Sequence, residues 1–139
     1  MAKKILVVDD ERHIVRLIQV NLERSGYNVI PAYDGLEALE KVKSEKPDLI
    51  VTDDRMPRMD GFDLLKHLQN DSQLQDIPVI MLAEGARDAD IIKGWASGVS
   101  SYYTKPLNPR TILVAIENIF TSLEGSPESD DDDSLVPAS

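Results

Sequence analysis

Short apolar runs alternating with longer amphipathic stretches constrain this chain more than any other feature. Ile5 to Val8 is four apolar residues without interruption, as a strand buried on both faces requires. Glu11 to Ser25 follows with apolar side chains at 14, 15, 17, 18 and 22, a helical stripe, and Gly26 stands where a C-cap belongs. Tyr27 to Ala32 predicts a second strand. Asp34 and Glu37 have capping-box spacing and open a helix that ends near Lys46, before Pro47. Asp48 to Thr52 is a third strand, Gly61 to Asn70 a helix, and Pro78 to Leu82 a fourth strand. Asp88 to Ser97 predicts a helix capped by Gly98, and Ser101 to Thr104 a short fifth strand. Asn108 caps a final helix with Pro109 at its first position, ending near Leu123. Strict alternation with right-handed crossovers predicts an α/β fold: a doubly wound, five-stranded parallel sheet with five helices on its two faces.

In such sheets the working groups lie beyond the carboxyl ends of the strands. Here the first strand runs into Asp9, Asp10 and Glu11, the third into Asp53 and Asp54, and the fifth into Lys105. Asp9, Asp10 and Asp53 crowded together repel, so the cluster needs raised pKa values or a cation. An all-oxygen ligand set with no His in the pattern suits a hard divalent ion, and Mg²⁺ fits phosphate chemistry best. Lys105 adds a fixed positive charge, and a cation plus a Lys around a carboxylate is a phosphoryl-binding arrangement. One carboxylate can itself be the nucleophile. Each piece alone has an ordinary explanation: Asp9-Asp10 as a helix cap, Asp60-Gly61 as a turn, Lys105-Pro106 as nothing in particular. Their joint occurrence on strands one, three and five is what carries the functional reading.

Composition narrows the alternatives. A chain of 139 residues suits one domain, and the absence of cysteine excludes disulfides, thiolate catalysis and Cys-ligated zinc. No apolar run approaches the ~20 residues that cross a bilayer, and the run Ile5 to Val8 is too short for a signal peptide. A cytoplasmic location without membrane insertion is expected. The net charge of −10 lacks the basic footprint of a nucleic-acid binder, so no direct nucleic-acid contact is expected. Residues 124–139 carry Glu124, Glu128 and Asp130 to Asp133 with no Lys or Arg, which predicts a disordered acidic tail after a domain over residues 1–123.

The segments ILVVDDE, PDLIVTDDRMPRMDG and YYTKPL, in this order and spacing, resemble the receiver domain of two-component response regulators. The resemblance covers residues 3 to about 122. It implies the flavodoxin-like strand order 2-1-3-4-5 and a stand-alone, CheY-like signalling protein rather than a conventional enzyme, one that catalyses only its own Mg²⁺-dependent phosphorylation and dephosphorylation. By the same resemblance Asp53 matches the phospho-accepting aspartate, Asp9 and Asp10 the acidic pair that holds Mg²⁺, and Arg55 the position whose backbone carbonyl completes the metal shell. Lys105 matches the lysine that contacts the phosphoryl group, with a cis bond to Pro106, and Tyr102 matches the aromatic switch. Asp54 has no family role and reads as a solvated neighbour. The implied partners are a histidine kinase or histidine phosphotransfer protein and a downstream protein target, with the chain a monomer or weak dimer.

One position departs from the family. The fourth strand of receivers normally ends in Thr or Ser, and here Ala83 stands there, followed by Glu84. A hydrogen bond to a charged group contributes about 1.5–3 kcal/mol, so its loss weakens the response to phosphate. Tyr102 is expected to lie inward, or to divide between rotamers, without phosphate. Ile91 and Trp95, one helical turn apart, extend the partner surface that Tyr102 begins. Ser100 and Ser101 replace the acidic residues of the winged-helix regulators' dimer, which is therefore not expected. A pseudo-receiver that binds partners independently of phosphate is the alternative. A phosphohydrolase with an Asp nucleophile ranks last, because such enzymes carry D-x-D after the first strand and this chain has VVDDE.

Overall fold

The computed structural model describes residues 2–83, 85, 99–105 and 108–124. The expected helix over 88–97 with Ile91 and Trp95, the residues Glu84 and Pro106, and the segment 125–139 lie outside the described residues. The strands are β1 (Lys4–Val8), β2 (Asn28–Ala32), β3 (Leu49–Asp53), β4 (Val79–Ala83) and β5 (Ser101–Thr104). The described helices are α1 (Arg12–Arg24), α2 (Gly35–Glu45), α3 (Gly61–Gln69) and α4 (Pro109–Glu124). All strands are parallel, in the order β2-β1-β3-β4-β5.

Strand alternation divides the core into two layers. Leu6, Val8, Ile50, Met81 and Ala83 face one side, against Ala38 and Val42 of α2 and Leu64 and Leu68 of α3. Ile5, Val7, Leu49, Val51, Ile80 and Leu82 face the other, against Val15, Ile18 and Leu22 of α1 and Ile112 and Ile116 of α4. These side chains are buried, and each large one contributes about 1.5–3 kcal/mol relative to exposure. Burial on both faces is why β1, β3 and β4 are built around the apolar runs Ile5–Val8, Leu49–Val51 and Val79–Ala83.

Helix ends follow local chemistry. The Asp34 carboxylate accepts from the Glu37 N–H at 2.8 Å and caps α2, while Glu37 Oε1 reaches back to accept from the Tyr33 N–H at 2.8 Å, one residue before the position that a capping box would use. Gly26, after α1, has φ +95°, a left-handed conformation that favours glycine. Asn108 Oδ1 accepts from the Arg110 N–H at 3.0 Å and caps α4, which runs one residue past its expected end. As expected, α2 ends beside Lys46, which takes a left-handed conformation, φ 48°, ahead of Pro47. Asp60 is more than a turn residue: its carboxylate accepts from the Asp63 N–H at 2.9 Å and caps α3.

Candidate functional site

Register brings the strand ends together. Val8 pairs with Thr52, Asp53 with Leu82, and Ala83 with Thr104, so Asp9, Asp53 and Lys105 emerge at one rim of the sheet. Backbone bonds extend each strand by a residue. The Asp9 N–H donates to the Ala32 carbonyl at 3.2 Å, and the Lys105 N–H donates to the Ala83 carbonyl at 2.8 Å.

Lys105 Nζ lies 2.9 Å from Asp9 Oδ2 and 3.2 Å from Asp53 Oδ2, bridging the ends of β1 and β3. Asp9 and Asp53 are almost wholly buried, and the Lys105 side chain is 12% exposed. Burial works against the Lys105 ammonium, but the hydrogen bonds and charges of Asp9 and Asp53 outweigh it and hold its pKa above the ordinary lysine value. Burial pushes the Asp9 carboxyl above the usual carboxylate range. The Glu11 N–H, which donates to Asp9 Oδ1 at 2.9 Å, and Lys105 offset part of that rise, while Asp10 adds to it.

Asp9, buried, Asp10, exposed, and Asp53, buried, each offer a carboxylate oxygen within 4.8 Å of the others. Three carboxylates and one ammonium leave two negative charges, so one divalent cation neutralises the group. The donors are all hard oxygens, and two of the three carboxylates, Asp9 and Asp53, are buried. These residues fit Mg²⁺.

The other expected site residues divide. Arg55 is exposed, just beyond the rim. Ala83 is fully buried at the end of β4. Tyr102 is half-buried, pairs in register with Met81, and packs against the core layer that contains Ala83 and Met81. Asp54 corrects an expectation, because it is fully buried rather than solvated. Its N–H donates to the Leu82 carbonyl and its carbonyl accepts from the Gly61 N–H, both at 3.0 Å, so the chain turns back over it. Gly61 permits this, since a Cβ there would overlap the Asp53 carbonyl oxygen. Also unforeseen is the contact between Arg58 and Asp34, whose two guanidinium nitrogens reach one carboxylate oxygen at 3.1 and 2.7 Å.

Residues 5–117 match the response regulator receiver domain family. The alkaline phosphatase synthesis transcriptional regulatory protein PhoP of Bacillus subtilis is 45% identical over 131 residues, 94% of this chain and 54% of that protein. The phosphate regulon transcriptional regulatory protein PhoB of Escherichia coli is 34% identical over 119 residues, 86% of this chain and 52% of that protein. The chain spans about half the length of the curated relatives it matches. Among solved structures, chemotaxis response regulator CheY4 of Vibrio cholerae superposes with a TM-score of 0.78 at 34% identity, covering 86% of this chain and 99% of that one.

Proposed function

This chain belongs to the response regulator receiver domain family, and from that premise we propose that it accepts a phosphoryl group on Asp53 and signals by protein–protein contact. The observation that carries the proposal is the Lys105 ammonium set between Asp9 and Asp53, with Asp10 completing a three-carboxylate cluster. An Asp53 carboxylate oxygen attacks phosphorus, the bond to the donor breaks, and its electron pair leaves with the donor, yielding an acyl phosphate. Lys105 neutralises charge on the transferring group while Asp9 holds that ammonium in place. Asp9, Asp10 and Asp53, with the Arg55 carbonyl, would hold Mg²⁺, which supplies charge neutralisation on the phosphoryl oxygens when bound. The donor is a histidine kinase or histidine phosphotransfer protein, and the output is a protein target.

Incubation with acetyl phosphate and Mg²⁺, followed by intact mass, tests the proposal. A gain of one phosphoryl group supports it. No gain with any donor leaves the pseudo-receiver reading, which Ala83 favours because its methyl group offers no donor to a phosphoryl oxygen.

Magnesium should bind the unphosphorylated protein weakly, since Mg²⁺ takes one or two carboxylates and keeps several waters. Calorimetric titration of Asp10→Asn should show the binding heat lost. An isotherm matching the wild type would place the ion elsewhere.

Ala83 also bears on Tyr102. With only a methyl group at the end of β4, less side-chain volume opposes the ring on the inner side before phosphorylation, and burial of apolar ring area contributes about 25 cal/mol per Å². Two-state equilibria of this kind differ by a few kcal/mol, so that bias is enough to decide the rotamer. Ala83→Thr should shift Tyr102 outward, read from its side-chain NMR signals without phosphate. Signals that do not move on that substitution would sink the idea.

A further inference from the structure

Two loops border the cluster: residues 9–11 after β1, which carry Asp9 and Asp10, and residues 54–60, which follow Asp53 at the end of β3. Both are tied to the same turn, Tyr33-Asp34, between β2 and α2. Directly after the first loop, the guanidinium of Arg12, the first residue of α1, stacks on the Tyr33 ring, 4.0 Å from its centroid. From the second, Arg58 Nε and Nη2 donate to Asp34 Oδ2 at 3.1 and 2.7 Å.

The turn is itself held rigid. Asp34 Oδ1 is occupied by the Glu37 N–H, which aims Oδ2 at Arg58. Arg58 sits at φ +70°, a left-handed conformation that a non-glycine residue keeps only where its surroundings enforce it. Gly35 lets the loop lie flat on the start of α2, because a Cβ there would overlap the Met59 carbonyl oxygen. The Arg58 side chain is 58% exposed, so its ion pair contributes little to global stability. A strained residue held by an exposed pair, three positions from Arg55 and five from Asp53, suggests local positioning instead.

We infer that Asp34 and Arg58 are positioning residues that brace the β3–α3 loop against the β2–α2 turn and thereby set the cation affinity of the Asp9/Asp10/Asp53 cluster. The inference rests on the proposed Mg²⁺ site. Neither residue touches the ion; each acts by fixing the loop that carries the Arg55 carbonyl, and Arg12 on Tyr33 does the same for the first loop. Outer partners of this kind change metal affinity by about 10- to 100-fold when removed.

The test is calorimetric titration of magnesium ion into the full chain, with urea unfolding in parallel. Arg58→Gly keeps the left-handed backbone without strain but removes the guanidinium. Asp34→Asn keeps a capping oxygen but removes the charge. Each should weaken Mg²⁺ binding by about tenfold with the unfolding midpoint little changed. Arg58→Lys should recover part of the affinity. The double variant Asp34→Asn/Arg58→Gly should be no weaker than the worse single one, because both remove the same pair. Amide exchange at Gly61 without metal should quicken in both single variants.

Unchanged affinity in either single variant overturns the brace, as does an affinity loss matched by a loss of global stability. Asp10→Asn run alongside separates the two readings. If it binds like the wild type, or the wild type does not bind, the site and the brace fall together. If it abolishes binding while Arg58→Gly does not weaken it, the brace alone falls.

Discussion

Asp53→Asn is expected to abolish phosphoryl incorporation completely while leaving the fold intact. Asp53 is the carboxylate at the end of the central strand that contacts Lys105, at 3.2 Å, within the three-carboxylate cluster. Asn is nearly isosteric and its side-chain oxygen still accepts from Lys105, but an amide does not form an acyl phosphate. Neighbouring acids offer no substitute. Asp54 is fully buried behind the turn at Gly61, and Asp10, although exposed, is placed to hold a cation. Intact mass after acetyl phosphate treatment should show no adduct on the variant. Peptide mapping that finds one on Asp54 or Asp10 would refute the assignment.

Lys105→Met should be the most destabilising change at the site, by about 3 kcal/mol at neutral pH, because it strands two buried carboxylates without their cation. The 12% exposure of Lys105 places the cost at the lower end of what breaking a buried pair does. The loss should depend on pH. The Asp9 carboxyl is already above its ordinary value through burial, and removing Lys105 raises it further. A group raised on folding contributes stability below its unfolded pKa and loses it as pH rises through the folded one. The variant should therefore lose least at acid pH and most at neutral pH. Magnesium at saturating concentration should return part of the loss, since a ligand of the folded state stabilises it by mass action. Urea unfolding across pH, with and without Mg²⁺, checks each arm; a neutral-pH stability equal to wild type would show that the bridge adds nothing.

Much of the fold was legible because β1, β3 and β4 are buried on both faces and so are built around continuous apolar runs. Asp9, Asp53 and Lys105 stand at or just past the ends of β1, β3 and β5, so the parallel topology alone carried them to one rim. Caps were equally local: Asp34 with Glu37 and Asn108 act within a few residues of themselves. What escaped needed tertiary structure. Strand alternation says that Asp54 points away from Asp53 but not whether that side is wet; the close approach at Gly61 decides it. Arg58 meets Asp34 across 24 residues of chain, and nothing in a run of single letters pairs them.

The outer strands of the sheet bear on how the molecule meets others of its kind. An unpaired strand edge is a template on which another chain can add, through to aggregation. At one margin, β2 carries Pro31 in its five-residue run, and proline has no N–H to offer an incoming strand. At the other, β5 is four residues long, too short to seed an extended ladder. Growth of the sheet is thus discouraged at both margins, and the outer face of the molecule offers side chains rather than open backbone. A surface of that kind can be altered residue by residue to change partners without disturbing the backbone ladder that holds the acids in register.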